Sequence, residues 1–389
     1  MASGSSVPER HGRFSAVRRG QPTRRHSIQG RPCGIVVAGH RGQAATPTVA
    51  PAELPGRASV STRSTPSPGA RLAPKAGDRH PGDHRLQRSR VILYWAVRLA
   101  GLARWLPLRL SYFLGDVIAT LAWWCWRGPR TAAIDNMQRV LGHGAAARRA
   151  ARYSFLNYAR YVVDFLRAPK LKPEEVITKV HFDQWDAIDA AFAEGKGVIF
   201  ILMHFGNWDM GGAVLAARGY PLNVIADIFG NDRANEIVVR ARQVRGMKVI
   251  PSDRAAAGIV RAMRRNEALA ILIDTPIENG GVEISFFGER TLVPAGPARI
   301  ALRTGARVIP VALPRASGTS DQLIAMADFD VRITRTGDDE RDVVALTQRI
   351  FAAHERFIRA YPDQWYIFRR MWPARSPAAT REPALAPER

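Results

Sequence analysis

The apolar residues in the second half of the chain alternate between short continuous runs and longer stretches with helical spacing. The first short run, 198–203, contains only aliphatic, aromatic and Met side chains and follows the turn sequence 194–197. A run of this length next to glycines is typical of a strand buried on both faces. Four further runs predict strands, at 222–226, 247–251, 268–273 and 306–313.

Helical spacing of the apolar residues fills the gaps between these strands. The predicted helices cover 208–218, 232–245, 254–265, 296–303 and 341–360, and an earlier helix covers Ala145–Arg167. Strands that alternate with helices favour the α/β class, with a mostly parallel central sheet flanked by helices. We interpret Tyr161 and the other aromatic residues of the earlier helix as packing residues.

Segment 91–126 is apolar but is interrupted by charged side chains. No charge-free window of about 18 residues remains, so a clean transmembrane span is not supported. Two amphipathic helices broken at Pro107 fit the pattern better. Five of the nine tryptophans lie in this segment, which favours a helix pair at a membrane interface. The alternative is an ordinary helix pair in the protein core.

Residues 1–89 differ in composition from the rest of the chain. They contain 15 Lys and Arg, 4 acidic residues, many Pro, Gly and Ser, and no Trp. Such a segment cannot bury enough apolar surface to offset the entropy lost on ordering. We expect a disordered basic extension, or a translation start assigned too far upstream. The remaining chain divides into membrane-associated helices at 90–130, a main domain at 131–375 and a disordered tail at 376–389.

Charge and cysteine content narrow the classes of partner. The 389 residues carry a formal charge of +23, which indicates nucleic acid, an anionic membrane surface or an anionic substrate as partner. The extension holds +11 of this charge and the other 300 residues hold +12. Cys33 and Cys125 are too few for a disulfide scaffold, and neither has a partner at metal-ligand spacing, so we predict no metal site.

A histidine and an aspartate follow the first predicted strand. His204 stands directly after it, Asp209 lies in the first turns of the next helix, and Gly206 between them allows a sharp turn. Sheets of the α/β class place their sites at this end of the strands. If the chain folds back, Asp209 accepts the proton of one imidazole nitrogen and the other nitrogen acts as a base. That arrangement suits deprotonation of a substrate hydroxyl, which then attacks an activated acyl group. The structural alternative is a histidine that caps the strand and an aspartate at a helix N-terminus.

Several motifs occur in the order of one known superfamily. The segment 203–209, Met-His-Phe-Gly-Asn-Trp-Asp, resembles the H-x4-D/E box of the lysophospholipid acyltransferases. Within that superfamily it is similar to the lipid A biosynthesis lauroyl/myristoyl acyltransferases and the phosphatidylinositol mannoside acyltransferases. The later motifs are an Arg-containing helix and strand at 240–251, Asp274 with a Gly-Val…Phe-Phe-Gly stretch at 281–289, a glycine-marked helix and strand at 291–310, and Tyr-Pro-Asp-Gln-Trp-Tyr at 361–366. The resemblance covers residues 90–375.

The resemblance implies a glycerol-3-phosphate acyltransferase-like fold and a membrane-associated acyltransferase. Its activity is transfer of a fatty acyl chain from a thioester to a hydroxyl of a glycolipid or phospholipid. The thioester, acyl-CoA or acyl-carrier protein, is a co-substrate, and no cofactor is expected. His204 is then the general base and Asp209 orients it. Backbone N–H groups at the start of the following helix are candidate oxyanion donors.

Three further residues are candidates for substrate binding. Arg242 could contact a phosphate of the lipid or of the thioester, or be a solvated helix residue. Glu283 lies in an otherwise apolar strand, so it could bind a sugar or hydroxyl group or form a buried salt bridge. Asp274 ends a strand and could line the cleft or cap the strand. The Asp209 of the box, where lipid A enzymes usually have Glu, favours the phosphatidylinositol mannoside branch.

Three rival function classes are weaker. A nucleic-acid-binding protein would explain the basic extension, but the main domain has no helix-turn-helix, RNP-like run or zinc spacing, so we expect no specific nucleic acid. A non-enzymatic membrane protein would not explain the His–Asp box, and a hydrolase would need a nucleophile or a metal. We therefore expect a peripheral or monotopic enzyme at the cytoplasmic face of the plasma membrane, resting on an anionic membrane surface.

Overall fold

The computed structural model describes residues 105–226, 232–252, 255–277 and 280–372. The helices are α1 Leu108–Cys125, α2 Arg127–Leu141, α3 Ala145–Arg167, α4 Pro173–Thr178, α5 Trp185–Ala193, α6 Trp208–Ala217, α7 Asp232–Gln243, α8 Ala255–Arg264, α9 Gly296–Thr304 and α10 Asp339–Ala360. The strands are β1 Val180–His181, β2 Val198–Leu202, β3 Leu222–Ala226, β4 Lys248–Pro251, β5 Ala268–Leu272, β6 Val282–Phe286, β7 Glu289–Val293, β8 Arg307–Ala312, β9 Leu323–Ile324 and β10 Met326–Ala327. Short 3-10 helices lie at Ala168–Lys170 and Pro362–Gln364.

Six strands of the described chain form the central sheet, in the order β10-β8-β2-β5-β3-β4. All neighbours pair in parallel except β10, which is antiparallel to β8 at the edge. The predicted α/β class with a mostly parallel sheet is confirmed. Outside this sheet, β6 and β7 form an antiparallel hairpin and β1 pairs with β9. The sequence analysis did not predict the hairpin.

The central strand β2 is buried on both faces, as a parallel strand between helices must be. Its alternate side chains point to opposite faces. Ile199 and Ile201 belong to a core shared with α8, α9 and α10. Val198, Phe200 and Leu202 belong to a second core shared with α5 and α6. Helices therefore cover the sheet on both sides, and its carboxyl edge is left to carry a site.

Helices α1, α2 and α3 precede the central sheet in the chain and pack against one another. The hydroxyl of Tyr112, in the second turn of α1, donates to Asp164 near the end of α3 at 2.6 Å. Trp123, near the end of α1, packs edge-to-face on Phe155 earlier in α3, so the two helices run antiparallel. The predicted helix after Pro107 is confirmed as α1, while the predicted helix before it lies outside the described residues.

The described helices include none that combines the length and apolarity needed to cross a bilayer. The predicted extension at 1–89 and tail at 376–389 also lie outside the described residues. The division of the chain into four segments therefore stays a prediction.

Candidate active site

The candidate site begins where β2 ends and the chain turns towards α6. Gly206 in this turn has a φ of +64°, and a Cβ added there would lie 2.0 Å from the carbonyl oxygen of Leu313. Glycine alone satisfies both conditions. The backbone N–H of Asn207 donates to the same carbonyl oxygen at 2.8 Å. The turn is thereby fixed against the end of β8, and it presents His204 at the carboxyl edge of the sheet.

Asp274 meets His204 because of the register between β2 and β5. Parallel pairing aligns Leu202 with Leu272, the last residue of each strand. His204 and Asp274 each lie two positions further on, so they leave neighbouring strands side by side. Nδ1 of His204 lies 2.8 Å from Oδ1 of Asp274. The backbone N–H of His204 and the indole N–H of Trp365 donate to Oδ2 at 2.8 Å and 3.0 Å.

The environment of Asp274 keeps it ionised. Its side chain is fully buried, whereas that of His204 is 33% exposed. Burial acts to raise the pKa of Asp274, but the charge of His204 and the hydrogen bonds from His204 and Trp365 outweigh it and hold the pKa below its usual value. An ionised carboxylate only accepts hydrogen bonds, so the imidazole carries its proton on Nδ1. Nε2 is then the basic nitrogen of the ring.

Asp209 has a different set of partners. Nε of Arg242 donates to Oδ1 at 2.7 Å, and the hydroxyl of Tyr161 donates to Oδ2 at 2.7 Å. Burial first, and the charge of Asp209 second, raise the pKa of Tyr161 well above its usual value, so the phenol stays a neutral donor. Asp209 is thus a buried acceptor in a fixed ion pair. We interpreted Tyr161 only as a packing residue, and its hydrogen bond was missed.

The contact at Nδ1 of His204 differs from the one that the sequence analysis expected. The partner of Nδ1 is Asp274, whereas we expected Asp209 to accept the proton of one imidazole nitrogen. The box places Asp209 in the first turn of α6, where Arg242 of α7 meets it, while Asp274 leaves the strand next to β2. The catalytic roles of all three side chains stay predictions.

Arg242 and the nearby Arg245 are partly buried cations beside Asp209. The side chain of Arg242 is 14% exposed, so the solvated-helix alternative is wrong. Nε and Nη2 of Arg245 are buried and have no hydrogen-bond partner among the described residues. Burial lowers the pKa of Arg245 to about 10, against the opposing charge of Asp209. Arg245 lies within the motif at 240–251, but the sequence analysis did not single it out.

Glu283 does not occupy the buried position that the sequence analysis gave it. It lies on β6, where Val282, Ile284 and Phe286 are buried and the residues between them are exposed. Its side chain is 52% exposed and pairs with Arg290 of β7 at 2.8 Å. A two-stranded hairpin has one face towards solvent, and Glu283 is on that face. The buried-salt-bridge alternative is therefore wrong, and the ion pair is a surface one.

A narrow apolar cavity of about 80 Å³ lies under the site, on the face of the sheet covered by α5 and α6. Its walls come from the strands and helices around Phe200, Leu202 and Trp208. Asp209 and Arg242 are the charged residues of its lining. The ring of Trp208 packs edge-to-face on His204, with centroids 5.3 Å apart, so the cavity and the imidazole share one wall.

Backbone N–H groups of the turn that leads into α6 are occupied. The backbone N–H groups of Phe205, Gly206 and Asn207 donate to carbonyl oxygens of the protein. By contrast, the indole N–H of Trp208 is buried and has no hydrogen-bond partner in the described part of the chain. Its ring packs against His204, so this N–H is a donor next to the imidazole. Within the described ranges, no group of three or more His, Cys, Asp or Glu residues could hold a metal ion.

Comparison with known proteins gives a consistent result. The family model of bacterial lipid A biosynthesis acyltransferases matches residues 81–374. A phosphatidylinositol mannoside acyltransferase of Mycolicibacterium smegmatis is 29% identical over 247 residues, 61% of this chain and 77% of that protein. The proteins of the same name from two strains of Mycobacterium tuberculosis are 27% identical over 314 residues, 77% of this chain and 95% of theirs. Because the family model covers most of the chain, the protein belongs to the bacterial lipid A biosynthesis acyltransferase family and is an O-acyltransferase.

Proposed function

We propose that the protein transfers a fatty acyl chain from a thioester, acyl-CoA or acyl-carrier protein, to a hydroxyl of a membrane glycolipid. The observation that carries the proposal is the pairing of a partly exposed imidazole with a buried, ionised carboxylate. Nδ1 of His204 is held by Asp274, and the Trp208 ring that packs on the imidazole also lines an apolar cavity. A base beside a slot for a hydrocarbon chain is what this reaction needs.

In the proposed mechanism, Nε2 of His204 removes the proton of the acceptor hydroxyl as the oxygen attacks the thioester carbonyl carbon. A C–O bond forms and the carbonyl becomes an oxyanion. When this intermediate collapses, the C–S bond breaks and the imidazolium returns its proton to the leaving thiolate. Asp274 stabilises the imidazolium and keeps the ring in the productive tautomer.

The oxyanion needs a hydrogen-bond donor that is not already occupied. We assign this role to the indole N–H of Trp208, which is buried and unpaired with any described residue. A preorganised donor in a site that excludes water contributes more than the same donor in water. The edge-to-face contact of its ring with His204 supports this assignment.

The apolar cavity is the proposed site of the part of the acyl chain next to the thioester carbonyl. Its lining is aliphatic and aromatic apart from glycines and the Asp209–Arg242 pair. Burying the chain there removes apolar surface from water at about 25 cal/mol per Å². Arg242 lines its charged end. Arg242 and the nearby Arg245 are proposed to contact a phosphate of the donor or acceptor.

The acceptor is proposed to be a phosphatidylinositol mannoside rather than lipid A. The named relatives act on phosphatidylinositol mannoside by their printed names, and the box has Asp209 where lipid A enzymes usually have Glu. Glu283 sits on the exposed face of the hairpin, so we do not include it in the acceptor site.

Membrane association is part of the proposal. Along α1, Leu110, Phe113, Leu114, Val117, Ile118, Leu121 and Trp124 are exposed large apolar side chains. We call these residues the apolar row of α1, and their spacing puts them on one face of the helix. Such a face is suited to the interface of a bilayer. We propose a peripheral or monotopic position at the cytoplasmic face of the plasma membrane, with no specific nucleic acid as partner.

The decisive experiment incubates the full chain in detergent with radiolabelled acyl-CoA or acyl-carrier protein. Phosphatidylinositol mannoside, lipid A precursor or no acceptor is added in parallel. We expect labelled lipid only with the mannoside acceptor, and no transfer by H204A. Release of free fatty acid without acceptor would indicate a hydrolase, and full activity of H204A would remove the imidazole from the mechanism.

A further inference from the structure

A second, basic groove lies away from the apolar cavity, between α1, α2 and α3. Its volume is about 830 Å³, far larger than that of the apolar cavity. Its lining combines aromatic and aliphatic residues with four arginines: Trp123, Trp124, Arg130, Thr131, Ile134, Ala145, Arg148, Arg149, Arg152, Tyr153 and Leu156. The mechanism proposed above uses none of these residues.

The positive charge of the groove is not compensated by carboxylates in its lining. Arg148, Arg149 and Arg152 are exposed and form no ion pair with any residue that the structure describes. Arg130 donates to the carbonyl oxygen of Trp123 at 3.2 Å, which leaves its charge unneutralised. Four unneutralised guanidinium groups around one groove favour binding of an anion, above all a phosphate.

The position of Arg148 opposes the usual charge preference of helices. Helix α3 begins after Gly144, without a side-chain cap and without an acidic residue in its first turn. Arg148 nevertheless lies in its first turn, where the helix dipole already carries positive charge, and Arg149 and Arg152 follow further along the helix. A basic side chain in the first turn is unfavourable for the helix itself. Where a residue departs from the charge preference of its own helix, the departure indicates a functional role for that residue.

The groove is continuous with the apolar row of α1. Trp124, the last residue of that row, is 65% exposed and also lines the groove. The wall below it is rigid, because Trp123 packs edge-to-face on Phe155 with ring centroids 5.4 Å apart. The surface therefore joins an anion site directly to an exposed hydrocarbon-like strip. A lipid with a charged headgroup has the same two parts.

We propose that this groove binds the phosphate headgroup of an anionic membrane phospholipid, whose acyl chains lie along the apolar row of α1. The inference rests on the proposed membrane association and adds a defined headgroup site to it. The lipid is a ligand that fixes the enzyme on the bilayer and is not a substrate. Arg148, Arg149 and Arg152 are the phosphate ligands, and Trp124 lies at the level of the headgroups.

The test measures partitioning of the full chain onto vesicles by sedimentation, in the absence of turnover. Vesicles of phosphatidylcholine alone are compared with vesicles that contain 30% phosphatidylglycerol. For R148Q/R149Q/R152Q we expect about 100-fold weaker partitioning onto the anionic vesicles, since each basic residue at such a surface contributes about fivefold. Partitioning onto pure phosphatidylcholine should not change. Arg and Gln have similar helix propensities and all three side chains are exposed, so the variant should melt close to the wild type.

The chain offers a matched control at the end of α8. Arg261, Arg264 and Arg265 are also three exposed arginines within five positions, but they lie outside the groove. R261Q/R264Q/R265Q removes the same charge from a surface outside the groove. Because salt screens distant surface charges, we expect its partitioning to stay within about threefold of the wild type. Equal losses in both triple variants would mean diffuse surface charge and would overturn the proposal.

Two other outcomes also overturn it. The first is a wild-type chain that shows no preference for phosphatidylglycerol. The second is a groove variant with unchanged partitioning but a raised KM for acyl-carrier protein, which would make the groove a docking surface for that acidic donor. The detergent assay of acyl transfer contains no bilayer, so its failure and the failure of this inference are distinguishable.

Discussion

Asp274 and Asp209 are both buried carboxylates near the carboxyl edge of the sheet, but their surroundings differ in kind. Asp274 accepts hydrogen bonds from an imidazole, an indole and a backbone N–H, whereas Asp209 is held by a guanidinium and a phenol. An imidazole gains and loses protons near neutral pH, and a guanidinium does not. The same residue type therefore supports a proton-transfer group in one place and a fixed charge in the other.

The largest expected effect is on turnover, in D274N. The neutral amide cannot stabilise the imidazolium of His204 and does not fix its tautomer, so kcat should fall about 10⁴-fold with little change in KM. Thermal melting controls for folding, since Asn has the same shape as Asp. A kcat within tenfold of the wild type would break the comparison, because Asp274 would then be a structural residue like Asp209.

The next effect is on stability, in D209N. The substitution leaves the guanidinium of Arg242, 14% exposed, without its charge partner. Removing one member of a buried ion pair costs about 3–5 kcal/mol, so the free energy of unfolding in urea should fall by roughly this amount. The double variant D209N/R242Q should recover part of it. Unchanged stability together with a 10⁴-fold loss of kcat would instead identify Asp209 as the residue that orients the imidazole.

A pH effect distinguishes the two carboxylates through His354 of α10. Burial lowers the pKa of His354 to about 4, and the charge of Asp274 and the Ile201 backbone partly oppose the shift. Between pH 6.5 and 4 the unfolded chain therefore binds more protons than the folded one. The stabilisation from neutral His354 is complete above pH 6.5 and is lost as the pH falls towards 4, by about 3 kcal/mol in total.

Urea unfolding at several pH values between 7 and 4 measures this effect, with H354Q as the control that flattens the slope. In D274N the pH range over which stability falls should move to lower pH, because the carboxylate that raises the pKa of His354 is gone. In D209N that range should stay in place. A shift of equal size in both variants would show that the two carboxylates act on His354 alike.

The smallest effects come from removing one neutral donor at each carboxylate. W365F removes the indole N–H from Asp274, and Y161F removes the hydroxyl from Asp209. A hydrogen bond to a charged group contributes about 2 kcal/mol. For W365F we expect roughly 30-fold lower kcat at unchanged KM. For Y161F we expect lower stability at nearly unchanged kcat. Reversed results, with kcat lost only in Y161F, would exchange the roles of the two carboxylates.

Most of the fold could be predicted from the sequence because strands and helices have different apolar periods. The predicted bounds of β3 and α3 agree with the structure, and those of β2 and β5 differ by one residue. The hairpin of β6 and β7 was missed because only the residues around Glu283 were interpreted as an apolar strand and no strand was predicted after them. The alternation of Val282, Ile284 and Phe286 with polar residues marks a half-exposed strand, so the signal was present.

The site was predicted less completely, for a physical reason. His204 and Asp274 each directly follow a predicted strand, but the sequence does not give the order of strands in a sheet. Only the pairing of β2 with β5 makes these two residues neighbours. The short spacing from His204 to Asp209 gave local information and favoured Asp209 as the partner of the imidazole, whereas Nδ1 lies against Asp274. Trp365 and Tyr161 are also far along the chain from the carboxylates that they contact, so no local motif contains either pair.

The register of β2 with β5 also affects when the site forms as the chain is synthesised. The histidine and its carboxylate are 70 positions apart, and the indole that completes the carboxylate site lies 91 positions beyond that. Closing such loops is entropically unfavourable until strand pairing rewards it. A nascent or truncated chain that ends before Trp365 therefore contains His204 but lacks one hydrogen-bond donor to its partner Asp274. Catalytic competence should be acquired late, in the same cooperative step that completes the sheet.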